Sequence, residues 1–554
     1  MKFLALSFLA GLVAACGFEP LALWPLTILG FAGLLWLVHR APTLRSALAR
    51  GWWFGVGHFV LGLNWIATAF TFQAAMPAWL GWVSVVLLSL YLAVYPAMAA
   101  GLAWRWGINR AQAPHRHSRE SGGRRRPRVN LTSSAQSEVK EQRDSRFRGN
   151  DEDGGWPQLA FILLFAAAWI VTEWLRATMF TGFAWNPAGV VLIDSWTASF
   201  ATLVGTYGLS GIVILLAGLA LFILSWRSRW RFLALAALVL VVMIDLNLVS
   251  RQDEARLAEQ PLVRIVQPNI GQEHKWTESF AERNFERLRR LSGAPGAEPR
   301  LLLWPEAAVT EPLRDERVDP FYQRRAERLR EQVGQLLGPG DMLLTGGFTF
   351  RSEDGVEVSS ATNSVFAIDG RGRILGHYDK AHLVPYGEYL PARPLLSRIG
   401  LSRLAPGDFD LDSGPGPRTL NLPGIGAIGF QICYEIIFSG HVVDPDNRPD
   451  FIFNPSNDAW FGAWGPPQHL AQARMRALEE GLPVLRATPT GISAVIDANG
   501  RLLHSLPWRA AGVIDARLPP PEPPTLFARL GNVLPFLLAL LLVALAIAVP
   551  RKGR

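Results

Sequence analysis

Cysteine and charge are both scarce in this chain. The 554 residues include two cysteines, Cys16 and Cys433, which lie far apart in regions of different composition. A disulfide framework is therefore not expected. Charged residues make up 18% of the chain, below the roughly one quarter that is usual for soluble domains. Half of the residues are apolar, so the composition predicts a membrane protein.

Patterns for metal or phosphate binding are also missing from the sequence. No cluster of His, Cys, Asp and Glu has the spacing of metal ligands, and no glycine-rich phosphate loop is visible. We therefore expect no metal and no other cofactor. The formal net charge of +8 could indicate a nucleic-acid partner. The basic residues flank apolar segments, however, which indicates the lipid bilayer as partner and no nucleic acid.

Long apolar runs are abundant. About eight segments have the length, or nearly the length, that crosses a hydrocarbon core of about 30 Å. They lie near 3–17, 20–38, 52–71, 79–103, 157–176, 197–225, 230–249 and 527–549. We predict a transmembrane bundle in 1–250, and a final transmembrane helix with a basic cytoplasmic tail in 527–554. The first run mimics a lipoprotein signal peptide ending at Cys16, but a second apolar run follows at once, so we expect an uncleaved span.

Lysine and arginine are unevenly distributed among the loops. Every second loop is basic, and basic loops of membrane proteins stay in the cytoplasm. The basic residues are Lys2; Arg40, Arg45 and Arg50; the arginines of 105–148; Arg227, Arg229 and Arg231; and Arg551, Lys552 and Arg554. This alternation places the region 251–526 outside the cytoplasm.

Residues 107–155 interrupt this alternation of apolar spans and short loops. Apolar residues are scarce there and no period is visible, so the segment cannot bury enough surface to offset the entropy of ordering it. We predict a disordered cytoplasmic insertion. A role in binding nucleic acid or lipid headgroups is the alternative.

The composition changes again between residues 251 and 526. Short apolar runs typical of buried strands alternate with helical stretches rich in Arg and Glu, such as 277–292 and 320–336. The runs are Leu262 to Val266, Leu301 to Trp304, Met342 to Thr345, Ser364 to Ile368, Ala427 to Ile432, Phe451 to Phe453 and Ser493 to Asp497. Strands that alternate with helices predict a layered α/β domain.

Three polar residues follow such runs, at strand ends where α/β sheets usually place their sites. They are Glu306, Lys380 and Cys433. A cysteine nucleophile needs a group that accepts its proton and positive charge nearby. A carboxylate and a lysine meet these needs, and the lysine can also stabilise an oxyanion. Each residue alone is more often a solvated surface group or an inert buried thiol, so spacing alone does not select them.

The surrounding motifs do select them. Trp304-Pro305-Glu306, the run from Lys380 to Glu388, and Cys433-Tyr434-Glu435 occur in the order seen in the nitrilase, or carbon–nitrogen hydrolase, superfamily, which this region resembles. The resemblance implies an αββα sandwich and a Glu-Lys-Cys triad. By it, Glu306 is the general base, Lys380 the cation that stabilises the oxyanion, and Cys433 the nucleophile.

Spans on both sides of such a domain are similar to the apolipoprotein N-acyltransferase family. Further runs that resemble it are Phe18-Glu19-Pro20, Glu173-Trp174-Leu175-Arg176, Thr181-Gly182-Phe183-Ala184-Trp185 and the stretches 456–462 and 468–479. Ala184 stands where this family tends to have Pro, and Pro489 where it tends to have Asn. The second departure removes an amide side chain from its loop but leaves the triad unaffected.

The resemblance implies an inner-membrane, multi-pass bacterial enzyme with a periplasmic catalytic domain. It would transfer an acyl chain from a phospholipid, typically the sn-1 chain of phosphatidylethanolamine, through a cysteine thioester. The acceptor would be the N-terminal amine of diacylglyceryl-cysteine in an apolipoprotein, the last step of lipoprotein maturation. The alternatives are a membrane-bound nitrilase-type amidase, in which water replaces the amine, and a silent lipid-binding or scaffolding protein.

Supporting residues follow from the same resemblance. We expect Glu388 and Glu435 to orient Lys380 and the attacking amine, and the backbone N–H of Tyr434 to assist the oxyanion. Three further residues resemble family positions near the acyl or headgroup path: Asn363, Trp276 and Trp460. For both tryptophans, a structural role in the core or at the membrane interface is an equally good reading.

Overall fold

The structure, a computed structural model, describes residues 1–72, 76–107, 157–225, 230–243, 257–276, 278–399, 402–404 and 410–549. The predicted insertion at 107–155 lies outside these residues except for Gly107, which ends a helix. The basic tail from 550 to 554 also lies outside them.

The described residues of the first half of the chain are mainly helical. Its helices are α1 (Lys2–Ala15), α2 (Trp24–His39), α3 (Leu44–Gly62), α4 (Ile66–Ala69), α5 (Leu80–Leu92), α6 (Val94–Gly107), α7 (Leu159–Thr178), α8 (Ala201–Leu224) and α9 (Trp230–Met243). They pack around a shared apolar core. Their outer faces expose large apolar side chains such as Trp82, Leu87 and Phe222. Such extensive exposed apolar surface is typical of a protein embedded in lipid.

The described residues contain three helices that are long and apolar enough to cross a membrane: Leu80–Gly107, Leu159–Thr181 and Trp196–Leu224. A fourth span results if Leu44–Gly62 and Ile66–Phe72, bent by 50°, count as one. The other predicted spans coincide with apolar helices of 14 to 16 residues. At about 1.5 Å per residue these are shorter than a hydrocarbon core of about 30 Å. The structure therefore supports a membrane bundle, in which three or four spans rather than the predicted eight meet the length requirement within the described residues.

The second half of the chain contains two β-sheets. The strands are β1 (Leu262–Gln267), β2 (Arg300–Leu303), β3 (Pro312–Asp315), β4 (Met342–Arg351), β5 (Ser360–Asp369), β6 (Ile374–Asp379), β7 (Thr419–Leu422), β8 (Gly426–Phe430), β9 (Phe451–Pro455), β10 (Val484–Ala487), β11 (Ala494–Ile496), β12 (Leu502–Ser505) and β13 (Gly512–Arg517). Within the described residues, the first sheet has the order β13-β1-β2-β4-β5-β6, with β3 beside β4. The second sheet has the order β12-β11-β10-β9-β8-β7.

Each sheet is parallel at its centre and antiparallel at its edges. In the first sheet β2 pairs in parallel with β1 and β4, while β5, β6 and β13 run antiparallel to their neighbours. In the second sheet β9 pairs in parallel with β8 and β10. Parallel strands direct their carboxyl ends to one edge of a sheet, where binding sites usually form.

The residue pattern of β2 explains how the layers stack. Successive side chains of a strand point to opposite faces. Leu301 and Leu303 enter the apolar core that also holds Phe430 and Phe453 of the second sheet. Leu302 and Trp304 enter a separate core shared with helices on the outer face. The short run Leu301 to Trp304 is thus buried on both sides, as a central parallel strand requires.

Helices cover both outer faces of the sandwich. This part of the chain contains α10 (Gln272–Lys275), α11 (Glu278–Ser292), α12 (Pro320–Gly334), α13 (Arg393–Leu396), α14 (Gly465–Glu480), α15 (Leu526–Leu530) and α16 (Val533–Ala548). Leu288 of α11 and Val333 of α12 pack on the first sheet. Leu470 and Met475 of α14 share a core with the membrane bundle. The predicted αββα arrangement is therefore present, and its α14 layer is also the junction with the bundle.

A buried carboxylate joins the two halves at this junction. Helix α8 is broken at Gly205, whose φ of +65° lies in the left-handed region that favours glycine. The next residue, Thr206, donates from its backbone N and from Oγ1 to Glu479 Oε1 of α14, at 2.5 and 2.6 Å. Glu479 also pairs with Arg476 at 2.8 Å. The break thus opens a helix N-terminus toward an anionic side chain, an arrangement that the helix dipole favours.

The final helix, α16, returns to the bundle. It packs against α7 and α8, with the Phe536 ring 4.8 Å from the ring of Trp174. Pro535, Ala539 and Leu542 are buried, whereas Leu540 on the opposite side is exposed. The bundle is therefore built from helices that precede the sandwich in the sequence and from one helix that follows it.

Candidate active site

Three strand ends bring Glu306, Lys380 and Cys433 into one buried site. Glu306 follows β2, Lys380 follows β6, and Cys433 follows β8. Their relative exposures are 6%, 1% and 5%, respectively. Because β2 and β6 belong to the first sheet and β8 to the second, the site is built from both layers of the sandwich.

Lys380 lies at the centre of a cluster of buried polar groups. Its Nζ is 3.0 Å from Glu388 Oε2 and 3.5 Å from Glu306 Oε1. Asn363 of β5 donates from Nδ2 to both carboxylates, at 2.7 Å to Glu306 and 3.0 Å to Glu388. Burial alone would lower the pKa of Lys380, but the charges of Glu388 and Glu306 outweigh it and raise this pKa. Lys380 therefore remains an ammonium at neutral pH and supplies fixed positive charge.

The two carboxylate oxygens of Glu306 differ in their hydrogen bonding. Oε1 accepts from Asn363, whereas Oε2 is buried and finds no hydrogen-bond partner among the described residues. Burial raises the pKa of the Cys433 thiol well above its usual value; the Glu306 charge raises it further, and Lys380 opposes this. The resting thiol is therefore protonated. The unpaired oxygen of Glu306 is suited to accept its proton during a reaction.

Cys433 adopts a strained backbone conformation. Its φ of +52° lies in the left-handed region. This conformation costs a residue other than glycine about 1–3 kcal/mol and persists only where the surroundings enforce it. The Cys433 carbonyl oxygen lies 3.0 Å from His469 Nε2, and His469 Nδ1 lies 3.0 Å from Asp458 Oδ1. Arg486 Nη2 contacts the same carboxylate at 2.7 Å. A buried charged network thus holds the turn that presents the thiol.

Glu435 fastens two loops of the site together. Its Oε1 accepts hydrogen bonds from the backbone N atoms of Ala381 and His382 at 2.8 and 3.0 Å, and from Tyr378 Oη at 2.9 Å. Its Oε2 accepts from the backbone N of Ile432 at 2.7 Å. Burial raises the pKa of Glu435 to about 7, although these hydrogen bonds oppose the rise. Glu388 contacts Lys380 directly, whereas Glu435 fixes the chain next to Lys380 and next to Cys433.

The sequence matches two family models and is similar to several known proteins. Residues 262–522 match the model for carbon-nitrogen hydrolases. Residues 10–118 and 145–219 match the model for the apolipoprotein N-acyltransferase N-terminal domain. The apolipoprotein N-acyltransferase of Caulobacter vibrioides is 34% identical over 98% of this chain and 93% of its own length. The chain belongs to the apolipoprotein N-acyltransferase family. It is therefore an acyltransferase by family.

Another apolipoprotein N-acyltransferase and a solved structure are also similar to this chain. The apolipoprotein N-acyltransferase of Rhodopseudomonas palustris is 33% identical over 95% of this chain and 91% of its own length. Among solved structures, an amidase from Nesterenkonia sp. AN1 of the nitrilase superfamily is similar at 16% identity, with a TM-score of 0.31 over 47% of this chain and 93% of that one.

In this apolipoprotein N-acyltransferase family member, the site lies against the membrane bundle. Tyr434, directly after Cys433, donates from Oη to the carbonyl oxygen of Gly182 at 3.3 Å, in the loop that follows α7. The Trp460 ring meets the edge of Phe72 at 6.0 Å. Residues beside the candidate nucleophile therefore touch segments that connect the apolar helices.

Trp276 is more exposed than the three triad residues. It is 36% exposed, and its Nε1 donates to Gln272 Oε1 at 3.0 Å. A groove of about 1020 Å³ lies nearby, and its lining includes Lys275, Glu306 and Pro489. In the described part of the chain, no group of three or more His, Cys, Asp or Glu side chains is arranged to hold a metal ion.

Sequence reasoning missed several residues of this site. Lys275, Asn457 and the network of Asp458, His469 and Arg486 were not among the predicted site residues. Lys275 lies in a four-residue helix and carries no periodic signal. Asn457, Asp458 and His469 lie within runs that resemble the family, but the contact of His469 with Cys433 depends on the packing of α14 against the nucleophile turn. The family resemblance of those runs is the sequence signal that points to this part of the site.

Proposed function

We propose that this enzyme transfers a fatty acyl chain from a phospholipid to the N-terminal amine of diacylglyceryl-cysteine in apolipoproteins. The donor chain is the sn-1 chain of phosphatidylethanolamine, and the intermediate is a thioester on Cys433. The observation that carries the proposal is the buried group of Glu306, Lys380 and Cys433, placed against a bundle that matches the N-terminal domain model of apolipoprotein N-acyltransferases.

The first half-reaction loads the enzyme. Glu306 Oε2 accepts the thiol proton of Cys433, and the thiolate attacks the carbonyl carbon of the phospholipid ester. Lys380 and a backbone N–H stabilise the negative charge that develops on the carbonyl oxygen. When the tetrahedral intermediate collapses, the C–O bond breaks and protonated Glu306 gives its proton to the leaving lysophospholipid oxygen. The acyl chain remains as a thioester.

The second half-reaction discharges the thioester. The neutral α-amine of the diacylglyceryl-cysteine attacks the thioester carbonyl, and Glu306 takes a proton from the amine nitrogen. The C–S bond breaks as the amide forms, and the proton returns to the Cys433 sulfur. The acyl group passes from ester to thioester to amide, and because the amide is the most stable of the three, the overall transfer needs no energy-supplying cofactor.

The placement we propose follows from the substrates and the loops. Both substrates are lipids, so the site must open at a membrane surface. The basic-loop pattern, the apolar helices and the contacts of Tyr434 and Trp460 with bundle segments support a multi-pass inner-membrane enzyme with a periplasmic catalytic domain. About eight spans would cross the membrane if each short apolar helix is one of them.

Covalent loading tests the proposal. Purified enzyme is mixed with phosphatidylethanolamine labelled in its sn-1 chain, without acceptor. Label should bind covalently, approach one chain per enzyme, and be released by neutral hydroxylamine. Cys433→Ala should bind none. Glu306→Gln and Lys380→Met should load about 100-fold or more slowly, because they remove the base and the oxyanion cation.

The acceptor step distinguishes the proposed reaction from hydrolysis. A diacylglyceryl-modified peptide should move the label to its amine much faster than water removes it. Absence of label from Cys433 would refute the nucleophile assignment. If water discharges the thioester as fast as the peptide does, the enzyme is a hydrolase of the nitrilase type instead.

A further inference from the structure

Lys275 is a second buried lysine next to the triad. Its side chain is 5% exposed, and Nζ donates to the backbone carbonyl oxygen of Glu306 at 2.9 Å. An ammonium buried to this degree is unfavourable unless nearby acceptors and negative charge compensate for lost water. The mechanism above assigns this lysine no task.

The second contact of Lys275 is with Asn457. When the Asn457 amide is oriented to satisfy its neighbours, its Oδ1 accepts from Lys275 Nζ at 3.2 Å, from Gln272 Nε2 at 2.6 Å and from Trp460 Nε1 at 3.3 Å. The backbone N–H of Asn457 in turn donates to the Cys433 thiol. Lys275 therefore connects the backbone of Glu306 to the loop that donates to the sulfur.

The charge of Lys275 also acts on the reacting groups. Among the described residues, the ionisable groups that act on Cys433 include Glu306, Lys380, Asp458 and Lys275. Burial lowers the pKa of Lys275 to about 8, and the charges of Glu306 and Cys433 oppose this. Lys275 is thus an ammonium at and below neutral pH, and its positive charge favours a negative sulfur. Lys380 is already engaged by two carboxylates.

We propose that Lys275 is a positioning residue and the second cation of the active site. It holds Glu306 and Asn457 around Cys433 and stabilises the thiolate once Glu306 has taken the proton. Its role rests on the proposed function, in which Cys433 is the nucleophile. The effect is on the sulfur itself, so it precedes the choice of acyl donor or acceptor.

The pH dependence of thiol alkylation tests this role without any acyl substrate. All variants carry Cys16→Ser, so that Cys433 is the remaining thiol. The rate of alkylation of full-length enzyme by iodoacetamide is measured from pH 6 to 10 for the parent, Lys275→Met and Lys275→Arg. Lys275→Met should alkylate about tenfold more slowly at neutral pH, with the profile displaced to higher pH, because a cation beside the thiolate is lost. Lys275→Arg should lie closer to the parent.

Arg300→Met is the matched control. Arg300 is also a buried cation, paired with Asp341 at 3.3 Å, but it begins the strand whose other end leads to Glu306. Its loss should destabilise the fold and leave the alkylation profile in place. An unchanged profile for Lys275→Met would overturn the proposal, and so would an equal displacement for Arg300→Met. Loading of label onto Cys433 by the parent enzyme is scored separately, so failure of the acyl-transfer mechanism is distinguishable from failure of this role.

Discussion

At the residue scale, the turn at Cys433 depends on the buried side chains that hold its backbone. A left-handed backbone at a residue other than glycine persists only where contacts on both sides enforce it. Glu435 accepts from backbone N–H groups on both sides of the site, and His469 lies against the Cys433 carbonyl. The geometry of the thiol is therefore set by buried hydrogen bonds to the backbone.

Glu435→Gln should disturb this turn with little change in side-chain size. Glutamine offers one acceptor oxygen, and its NH₂ group would face backbone N–H donors. An unpaired buried donor costs about 1–3 kcal/mol, so we expect thioester loading to fall about tenfold or more. The matched control is Glu480→Gln, because Glu480 is also a buried carboxyl whose pKa is raised by burial to about 7. Loading by this control should stay near the parent rate; equal loading by both variants would rule out the role of Glu435.

Residue types made part of the site predictable. The three strand-end residues could be selected because a cysteine nucleophile requires a base and a cation, and because the motifs around them resemble a known superfamily. Lys275 could not be selected in this way, and for Asn457 the family-like run 456–462 indicates no role. Their importance arises from contacts with Glu306 and Cys433, and these residues meet only after the two sheets have packed together.

At the element scale, the burial of each strand or helix determined whether it could be predicted from the sequence. Strands β1, β2, β8 and β9 are continuous apolar runs, and their predicted positions agree with the structure. Strand β12 is largely exposed and its apolar pattern is weak, so it was missed. Helix α14 was missed for the opposite reason. It is buried on nearly all sides, and the buried side chains include polar ones such as Gln468, His469 and Arg476. Polar and apolar residues are therefore not separated onto two faces, and the amphipathic period that indicates a helix is weak.

The junction between α8 and α14 predicts a large effect from one carboxylate. Glu479→Ala leaves Arg476 buried without its partner and removes the acceptor from the broken end of α8. Breaking a buried pair in this way costs about 3–5 kcal/mol. We expect the detergent-purified enzyme to lose thioester-loading activity at a clearly lower temperature than the parent.

Asp194→Asn is the control at the same junction. Asp194 pairs with Arg474 at 2.7 Å, but its side chain is 62% exposed. Exposed ion pairs contribute about 1 kcal/mol or less, so this change should leave the inactivation temperature almost unaltered. Similar losses in Glu479→Ala and Asp194→Asn would contradict the importance of burial at this junction.

At the scale of the whole molecule, the orientation of the chain remains a prediction. The basic loops place residue 130 in the cytoplasm and residue 350 outside it. A fluorescent protein that folds only in the cytoplasm, fused after residue 130, should be bright, and the same fusion after residue 350 should be dark. The reverse result would require a different arrangement of the short apolar helices. Sequence hydropathy could not fix the number of spans, because helices of 14 to 16 residues cross a bilayer only where it thins or where they extend further.

The return of α16 to the bundle has a consequence for biosynthesis. The ribosome synthesises α7 and α8 long before α16. The whole sandwich is translated after α8 and before α16. Until α16 emerges, the sides of α7 and α8 that it will cover, including the Trp174 ring, lie open to lipid. Insertion of the bundle is therefore completed after the sandwich has been synthesised. A nascent chain stalled before residue 533 would hold every residue of the triad while the surface that α16 covers was still vacant.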